Sequence, residues 1–172
     1  LIMETVLLAD IAQMAARVVA ENKAIGRTVA VAESCTGGLV SAAITEVPGS
    51  SAILGSGYVT YSNEAKMTML GVNEDIIDTF GAVSVAVAWA MAQGALKKSG
   101  ADIAVAISGV AGPDGGTANK PVGTVVFAVA LKGQNPEDVV GDKKAFGEDK
   151  SRADIRAFAT LYALELLLPP AP

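Results

Sequence analysis

Glu33-Ser34-Cys35-Thr36-Gly37-Gly38 gathers four polar or reactive side chains and two glycines into consecutive positions. Ser34 and Cys35 are the residues there that could attack an electrophile. A serine hydroxyl is a weak nucleophile until a neighbouring base takes its proton. The commonest base is histidine, and the chain contains none. Acid–base work must therefore fall to Lys, Tyr, Glu or Asp. A Ser–His–acid triad is impossible, and a Ser–Lys pair is the physical alternative. Cys35 is the rival nucleophile, and a helix N-terminus would favour its thiolate. Against it, cysteine nucleophiles normally work with a histidine, and a free cysteine is often just a small core residue.

Lys66 fits the role of base best. It ends Tyr61-Ser62-Asn63-Glu64-Ala65-Lys66, just after a strand and in the first turn of a predicted helix. The positive end of a helix disfavours an ammonium. A lysine base must be neutral at working pH, which requires burial or a positive neighbourhood. A lone lysine is more often solvent-facing, so the residue types alone leave both roles open. Tyr61 could donate or relay a proton, although a half-buried strand tyrosine is the commoner case.

Positioning these groups requires a strand, a turn and a helix. Thr28 to Ala32 is a run of small and β-branched residues, the composition of a buried strand. Leu39 to Glu46 can be a helix. A glycine-bearing turn between the two offers N–H groups at a positive helix end, where an oxyanion is stabilised. The plainer alternative is an ordinary turn with Ser34 or Thr36 as N-cap. A second glycine-rich segment, Ser108 to Gly123 (SGVAGPDGGTANKPVG), is the longest loop. Loops of this length are usually functional or disordered. Its first nine residues, Ser108, Gly109, Val110, Ala111, Gly112, Pro113, Asp114, Gly115 and Gly116, could wrap a phosphate or ribose with backbone N–H groups. It lacks the Gly-Lys-Ser/Thr of a P-loop and the spacing of a dinucleotide fingerprint. Arg152 and Arg156 lie one turn apart on the last predicted helix and could hold a phosphate together.

The order of elements gives the fold class. A helix is expected over residues 3–24, then the strand, turn and helix just described. Ile53 to Tyr61 has strand character, with Gly55 and Gly57 marking a bend or a close approach. Short helices are expected over Asn63–Leu70 and Glu74–Thr79, and a longer one over Ser84–Ser99. Ile103–Ile107 and Val125–Lys132 read as strands, and Val139–Phe146 as a weaker one paired to its predecessor in the one antiparallel pair. Asp149–Leu168 is the last helix, and residues 169–172 (Pro-Pro-Ala-Pro) form a flexible tail. This predicts a single α/β domain, a three-layer α/β/α sandwich with a mixed sheet of about five strands. Ligands bind at the carboxyl ends of strands in such sheets, so the turn at Ser34 and the loop at Ser108 should meet at one rim.

Composition narrows the function. The 172 residues are 51% apolar with a net charge of −5, and the mean hydropathy is +0.44. No apolar run approaches the ~18 residues of a bilayer span, and no signal peptide is evident. Basic residues are scattered, which disfavours a nucleic-acid partner. One cysteine and no histidine argue against a disulfide, a Cys/His metal site or an oxidising compartment. A cytoplasmic location without cofactor or metal is expected. The apolar excess suggests a homodimer.

Several long motifs occur in a characteristic order: AESCTGG, PGSS, GYVTYSNEAK, GAVS, ISGVAGPDGG and KPVGTV. Together they resemble the C-terminal domain family of the competence/damage-inducible protein CinA, strongly from Thr28 to Val126 and loosely beyond. The resemblance implies a three-layer, anticodon-binding-domain-like fold. For a stand-alone domain it implies hydrolysis of nicotinamide mononucleotide to nicotinate mononucleotide and ammonia, in pyridine nucleotide salvage. It further implies a Ser–Lys pair at Ser34 and Lys66 with Tyr61 close by. Backbone N–H groups among Cys35, Thr36, Gly37 and Gly38 would hold the oxyanion, and Glu33 would be a substrate-binding residue with them. The loop from Ser108, with Ser50 and Ser51, would contact the ribose phosphate. The match is loose around Arg152 and Arg156, because Gly147 to Ser151 departs from the family's Gly-Asp-Arg run.

Overall fold

The computed structural model describes residues 3–171. Five strands, β1 (Val29–Glu33), β2 (Leu54–Val59), β3 (Ile103–Gly109), β4 (Thr124–Leu131) and β5 (Val140–Ala145), form one sheet in the order β2-β1-β3-β4-β5. The helices are α1 (Ala9–Ala24), α2 (Leu39–Thr45), α3 (Asn63–Leu70), α4 (Glu74–Phe80), α5 (Val85–Ser99) and α6 (Arg152–Leu166). β1 is parallel to both β2 and β3. The sheet is mixed, but two neighbouring pairs are antiparallel, β3–β4 and β4–β5, where one was expected. The reason is the connection: no helix intervenes between β3 and β4, and a parallel return needs a crossover.

Side-chain alternation separates two cores. Val29, Val31, Ile103, Val105, Ile107, Val125 and Phe127 face α1, α2 and α6, meeting Ile11, Val18, Val40, Ile44, Ile155 and Leu164. The other face of the same strands is nearly all alanine: Ala30, Ala32, Ala104, Ala106, Ala128 and Ala130. Small side chains let α5 lie close to the sheet, with Val87, Ala88, Met91 and Ala92 in contact, while Leu70 of α3 and Ile77 of α4 complete this layer. A Cβ on Gly94 of α5 would stand 2.0 Å from the Leu70 carbonyl oxygen. Gly57 of β2 admits α2 in the same way, since a Cβ there would meet Ser41 Oγ at 2.5 Å. The close approach anticipated at that glycine is therefore α2.

Element boundaries differ from expectation at both ends. α1 begins at Ala9, not residue 3. Upstream of it the Thr5 hydroxyl accepts the Leu7 N–H, a local bond that competes with the helix, and Val6 and Leu8 stay exposed. α6 begins at Arg152 because Ser151 caps it, accepting the Asp154 N–H. Pro169 to Ala171 has no regular structure, and Pro172 lies outside the described residues. Among the described residues, no helix is long and apolar enough to cross a membrane.

Candidate active site

Ser34 follows directly on β1, and its N–H still continues the ladder by donating to the Ile107 carbonyl of β3 at 2.9 Å. Alternation puts its side chain on the same face as Ala30 and Ala32, the face covered by α3 and α5. Lys66 lies on α3, whose N-cap Ser62 accepts the Ala65 N–H at 3.0 Å. The lysine is 1% exposed and among the largest fully buried side chains. Its stem runs back past the start of the helix. Nζ donates to Ser34 Oγ at 2.9 Å, to the Thr60 carbonyl at 2.8 Å and to the Tyr61 carbonyl at 3.1 Å. Burial removes water from the ammonium and pulls its pKa from 10.5 down to about 8, against a smaller upward pull from Cys35. Among the described residues, no carboxylate is hydrogen-bonded to Nζ.

Cys35 points the other way, into the core between the sheet and α6, and is 4% exposed. A Cβ on Gly109 would lie 3.1 Å from its Sγ. Burial pushes its thiol up to about 11. The turn therefore divides its two nucleophiles, Ser34 toward the lysine and Cys35 toward packed side chains.

The N-terminus of α2 is already occupied. Its N-cap is Gly38, in the left-handed region, with no side-chain cap from Ser34 or Thr36. The cap comes from β1: Glu33, 0% exposed, accepts from the Val40 N–H, the Ser41 N–H, the Ser41 hydroxyl and the Thr36 hydroxyl at 2.7–3.1 Å. A carboxylate at a helix N-terminus is favoured by the dipole, and this one leaves that end closed to another anion. Glu33 is thus a cap within the fold and not a wall of the cleft. Gly37 N–H donates to the Ser34 carbonyl and Leu39 N–H to that of Thr36. The Cys35 N–H is directed at its own thiol; among the described residues, the N–H groups of Thr36 and Gly38 have no partner, so the expected oxyanion donors reduce to these two.

A cleft of about 270 Å³ opens over the pair, at the small end of ligand-sized cavities. The turn and the glycine-rich loop meet there, as their places after β1 and β3 imply. Ser34, Cys35, Tyr61, Lys66, Ser108, Gly109, Ala111, Gly112, Gly115 and Arg152 line it. Val110 and Asp114 of the same loop also line it. So do Ala82 and Val83, which the sequence offered only inside the GAVS motif, since no side-chain chemistry marked these two positions. Ser108 does not present a free hydroxyl, because its Oγ donates to the Ala82 carbonyl at 2.8 Å. Tyr61 touches Lys66 through its carbonyl, not its phenol. The phenol, on a side chain 59% exposed, accepts from Arg152 at 2.9 Å.

Glu33, Thr36, Gly37 and Gly38 of the turn do not line the cleft, and four further expected site residues lie elsewhere. Ser50 and Ser51 sit in a 3-10 turn ahead of β2, beside the start of β1, where Val29 N–H donates to the Ile53 carbonyl. That is the amino end of the parallel strands, opposite the cleft. Pro113 faces the outer side of the loop, with Gly116 and Glu148. Arg156 does not share a ligand with Arg152. Arg152 donates to the Gly112 carbonyl at 2.8 Å and lines the cleft. Arg156 instead turns under the Ser34 turn, donating to the carbonyls of Cys35 at 3.1 Å and Thr36 at 3.3 Å. Among the described residues, no group of His, Cys, Asp and Glu gathers as metal ligands would.

Residues 11–169 match the family described as the CinA C-terminal domain. The chain belongs to the CinA C-terminal domain family. Within it, the chain is 48% identical over 159 residues to the nicotinamide-nucleotide amidohydrolase PncC of Escherichia coli K12, covering 92% of this chain and 93% of that one. It is 51% identical over 142 residues to a CinA-like protein of Mycolicibacterium vanbaalenii, covering 83% of this chain and 32% of the relative. The chain thus spans about a third of the length of the longer relatives it matches. A crystal structure of the competence/damage inducible protein CihA from Agrobacterium tumefaciens has the same fold, with a TM-score of 0.90 and 44% identity over 95% of this chain and 96% of that one.

Proposed function

We propose that this CinA-family chain hydrolyses the carboxamide of nicotinamide mononucleotide, with Ser34 as nucleophile and Lys66 as base. The observation that carries the reading is the 2.9 Å contact between a buried lysine amine and a serine hydroxyl at the floor of a cleft. The PncC name of the Escherichia coli relative supports the substrate.

The surroundings of Nζ suit a base. A neutral amine has two N–H groups and one lone pair. The Thr60 and Tyr61 carbonyls take the two N–H groups, which leaves the lone pair directed at Ser34 Oγ. Ser34 then gives its proton to Lys66 as Oγ bonds to the carboxamide carbon. The tetrahedral oxyanion is held by unpartnered N–H groups of the turn. The C–N bond breaks, and the Lys66 ammonium returns the proton to the departing ammonia. Water adds to the acyl carbon and loses its proton to Lys66; the C–Oγ bond then breaks, Lys66 returns that proton to Ser34 Oγ, and nicotinate mononucleotide leaves with the enzyme restored. Arg152 and the Tyr61 phenol stand at the mouth of the cleft, suited to the nucleotide phosphate. Cys35 takes no part.

Incubation with nicotinamide mononucleotide tests the reading, with ammonia release as the readout. The chain is expected to release one ammonia per nicotinate mononucleotide, and Ser34→Ala to release none above the uncatalysed rate. A silent wild type would leave a nucleotide-binding module in place of an enzyme. Full turnover by Ser34→Ala would overturn the nucleophile.

A further inference from the structure

Arg156 is half-buried on α6, away from the cleft, yet it touches the backbone that carries Ser34. Its Nε donates to the Cys35 carbonyl and its Nη2 to the Thr36 carbonyl. A peptide unit is planar and trans, so fixing a carbonyl fixes the N–H of the next residue in the opposite direction. The Cys35 carbonyl shares its plane with the unpartnered Thr36 N–H. The Thr36 carbonyl shares its plane with the Gly37 N–H, which donates to the Ser34 carbonyl at 3.0 Å. One guanidinium therefore fixes two successive planes, of which one carries a free donor and the other closes back on the nucleophile's own residue. The turn needs such support: Gly37 and Gly38 hold φ of 60° and 102°, and glycine restricts its own backbone least. From the other side Glu33 holds the Thr36 hydroxyl at 2.7 Å.

We propose that Arg156 is a positioning residue for the chemistry at Ser34, acting through the peptide planes of the turn and touching no substrate. This rests on Ser34 being the nucleophile. The geometry assigns different work to two arginines one helical turn apart, Arg152 to the cleft and Arg156 to the turn beneath it. Hydrogen bonding at a carbonyl also polarises the N–H in the same amide and makes it a better donor.

The test uses two readouts on wild type, Arg156→Ala and Arg156→Lys. The first is kcat and KM for nicotinamide mononucleotide. The second is acylation by p-nitrophenyl acetate, in which Ser34 Oγ bonds to the acetyl carbon, its proton passes to Lys66 and p-nitrophenolate leaves; Ser34→Ala is the blank. Arg156→Ala should lose roughly a hundredfold in kcat and in acylation rate, the scale of a small displacement at a reacting group, with KM within about threefold. Added guanidinium ion should restore at least tenfold of that loss, which a general loss of folding would not allow. Arg156→Lys cannot reach both carbonyls with one fork and should lose about tenfold while keeping its Tm. An acylation rate within twofold of wild type in either variant overturns the proposal, as does a loss lying wholly in KM. So does a folded Arg156→Ala that guanidinium leaves unrestored. If Arg156→Ala does not fold, Arg156→Lys decides. Acylation that depends on Arg156 in a chain inactive on the mononucleotide would sink the substrate and keep this role. Turnover of the mononucleotide with unimpaired Arg156 variants would do the reverse.

Discussion

Replacing Lys66 by Met, which keeps the length and removes the charge, should change how stability depends on pH. The folded chain holds the Lys66 ammonium at a pKa of about 8, against 10.5 for a free lysine. At about 1.4 kcal/mol per unit, charging the buried amine costs about 3 kcal/mol, and at 1% exposure little solvent screens it. The sign follows from proton counting. Between pH 8 and 10.5 the unfolded chain binds more protons at this site than the folded one, so raising the pH stabilises the fold. Below pH 8 both states are charged and the whole cost is present. Going from pH 7 to pH 10 should therefore recover about 2–3 kcal/mol in the wild type and none of it in Lys66→Met. Urea unfolding of both proteins at the two pH values measures this, because groups that titrate alike cancel in the difference. A difference that stays constant between pH 7 and 10, or grows in the other direction, would show that Lys66 is not desolvated, and the base would go with it.

Three further outcomes follow from the packing. Cys35, buried with its thiol pushed from 9.0 up to about 11, should react with a thiol reagent at pH 8 about a hundredfold more slowly in the folded chain than in urea; prompt labelling that stops turnover would return it to the list of nucleophiles. Gly94→Ala forces a Cβ to within 2.0 Å of the Leu70 carbonyl oxygen, and the separation of α5 from α3 should outweigh the gain in helix propensity by roughly 2 kcal/mol, read as a fall of about 4–8 °C in Tm. Arg152→Gln should raise KM for the mononucleotide about tenfold with kcat nearly unchanged, and should matter less for the dephosphorylated nucleoside; equal losses on both would separate Arg152 from the phosphate.

How much was legible depends on what kind of signal each element leaves. The strand and helix pattern was readable because the sheet is buried on both faces, and VAVA and IAVAI carry that burial in their composition. Asn63–Leu70 was placed to the residue because Ser62 and Gly71 cap it at both ends. The approach of Lys66 to Ser34 had a readable cause, an ammonium in the first turn of a helix, but that it is buried depends on β2 pairing beside β1, so that the helix after β2 brings Lys66 to the residue after β1. The serines at 50 and 51 look like cap or ligand chemistry in any sequence; only the direction of β2 shows that they lie at the wrong end of the sheet. Glu33 and Arg156 were visible as candidates, but the roles they play left no local signal. The first bonds to α2, 7 and 8 residues on, and the second to carbonyls more than a hundred residues away. Backbone partners carry no side-chain signature in a sequence, so the parts that brace the turn emerge only from the structure.

The pH dependence of kcat/KM for nicotinamide mononucleotide tests most directly whether a neutral lysine accepts the Ser34 proton. It reports the ionisation of the free enzyme, and it should rise tenfold per unit at low pH and level off through a single pKa near 8, with Lys66→Met flat and close to the uncatalysed rate. A profile that is flat from pH 6.5 to 9.5, or one whose rising limb survives in Lys66→Met, would contradict the account.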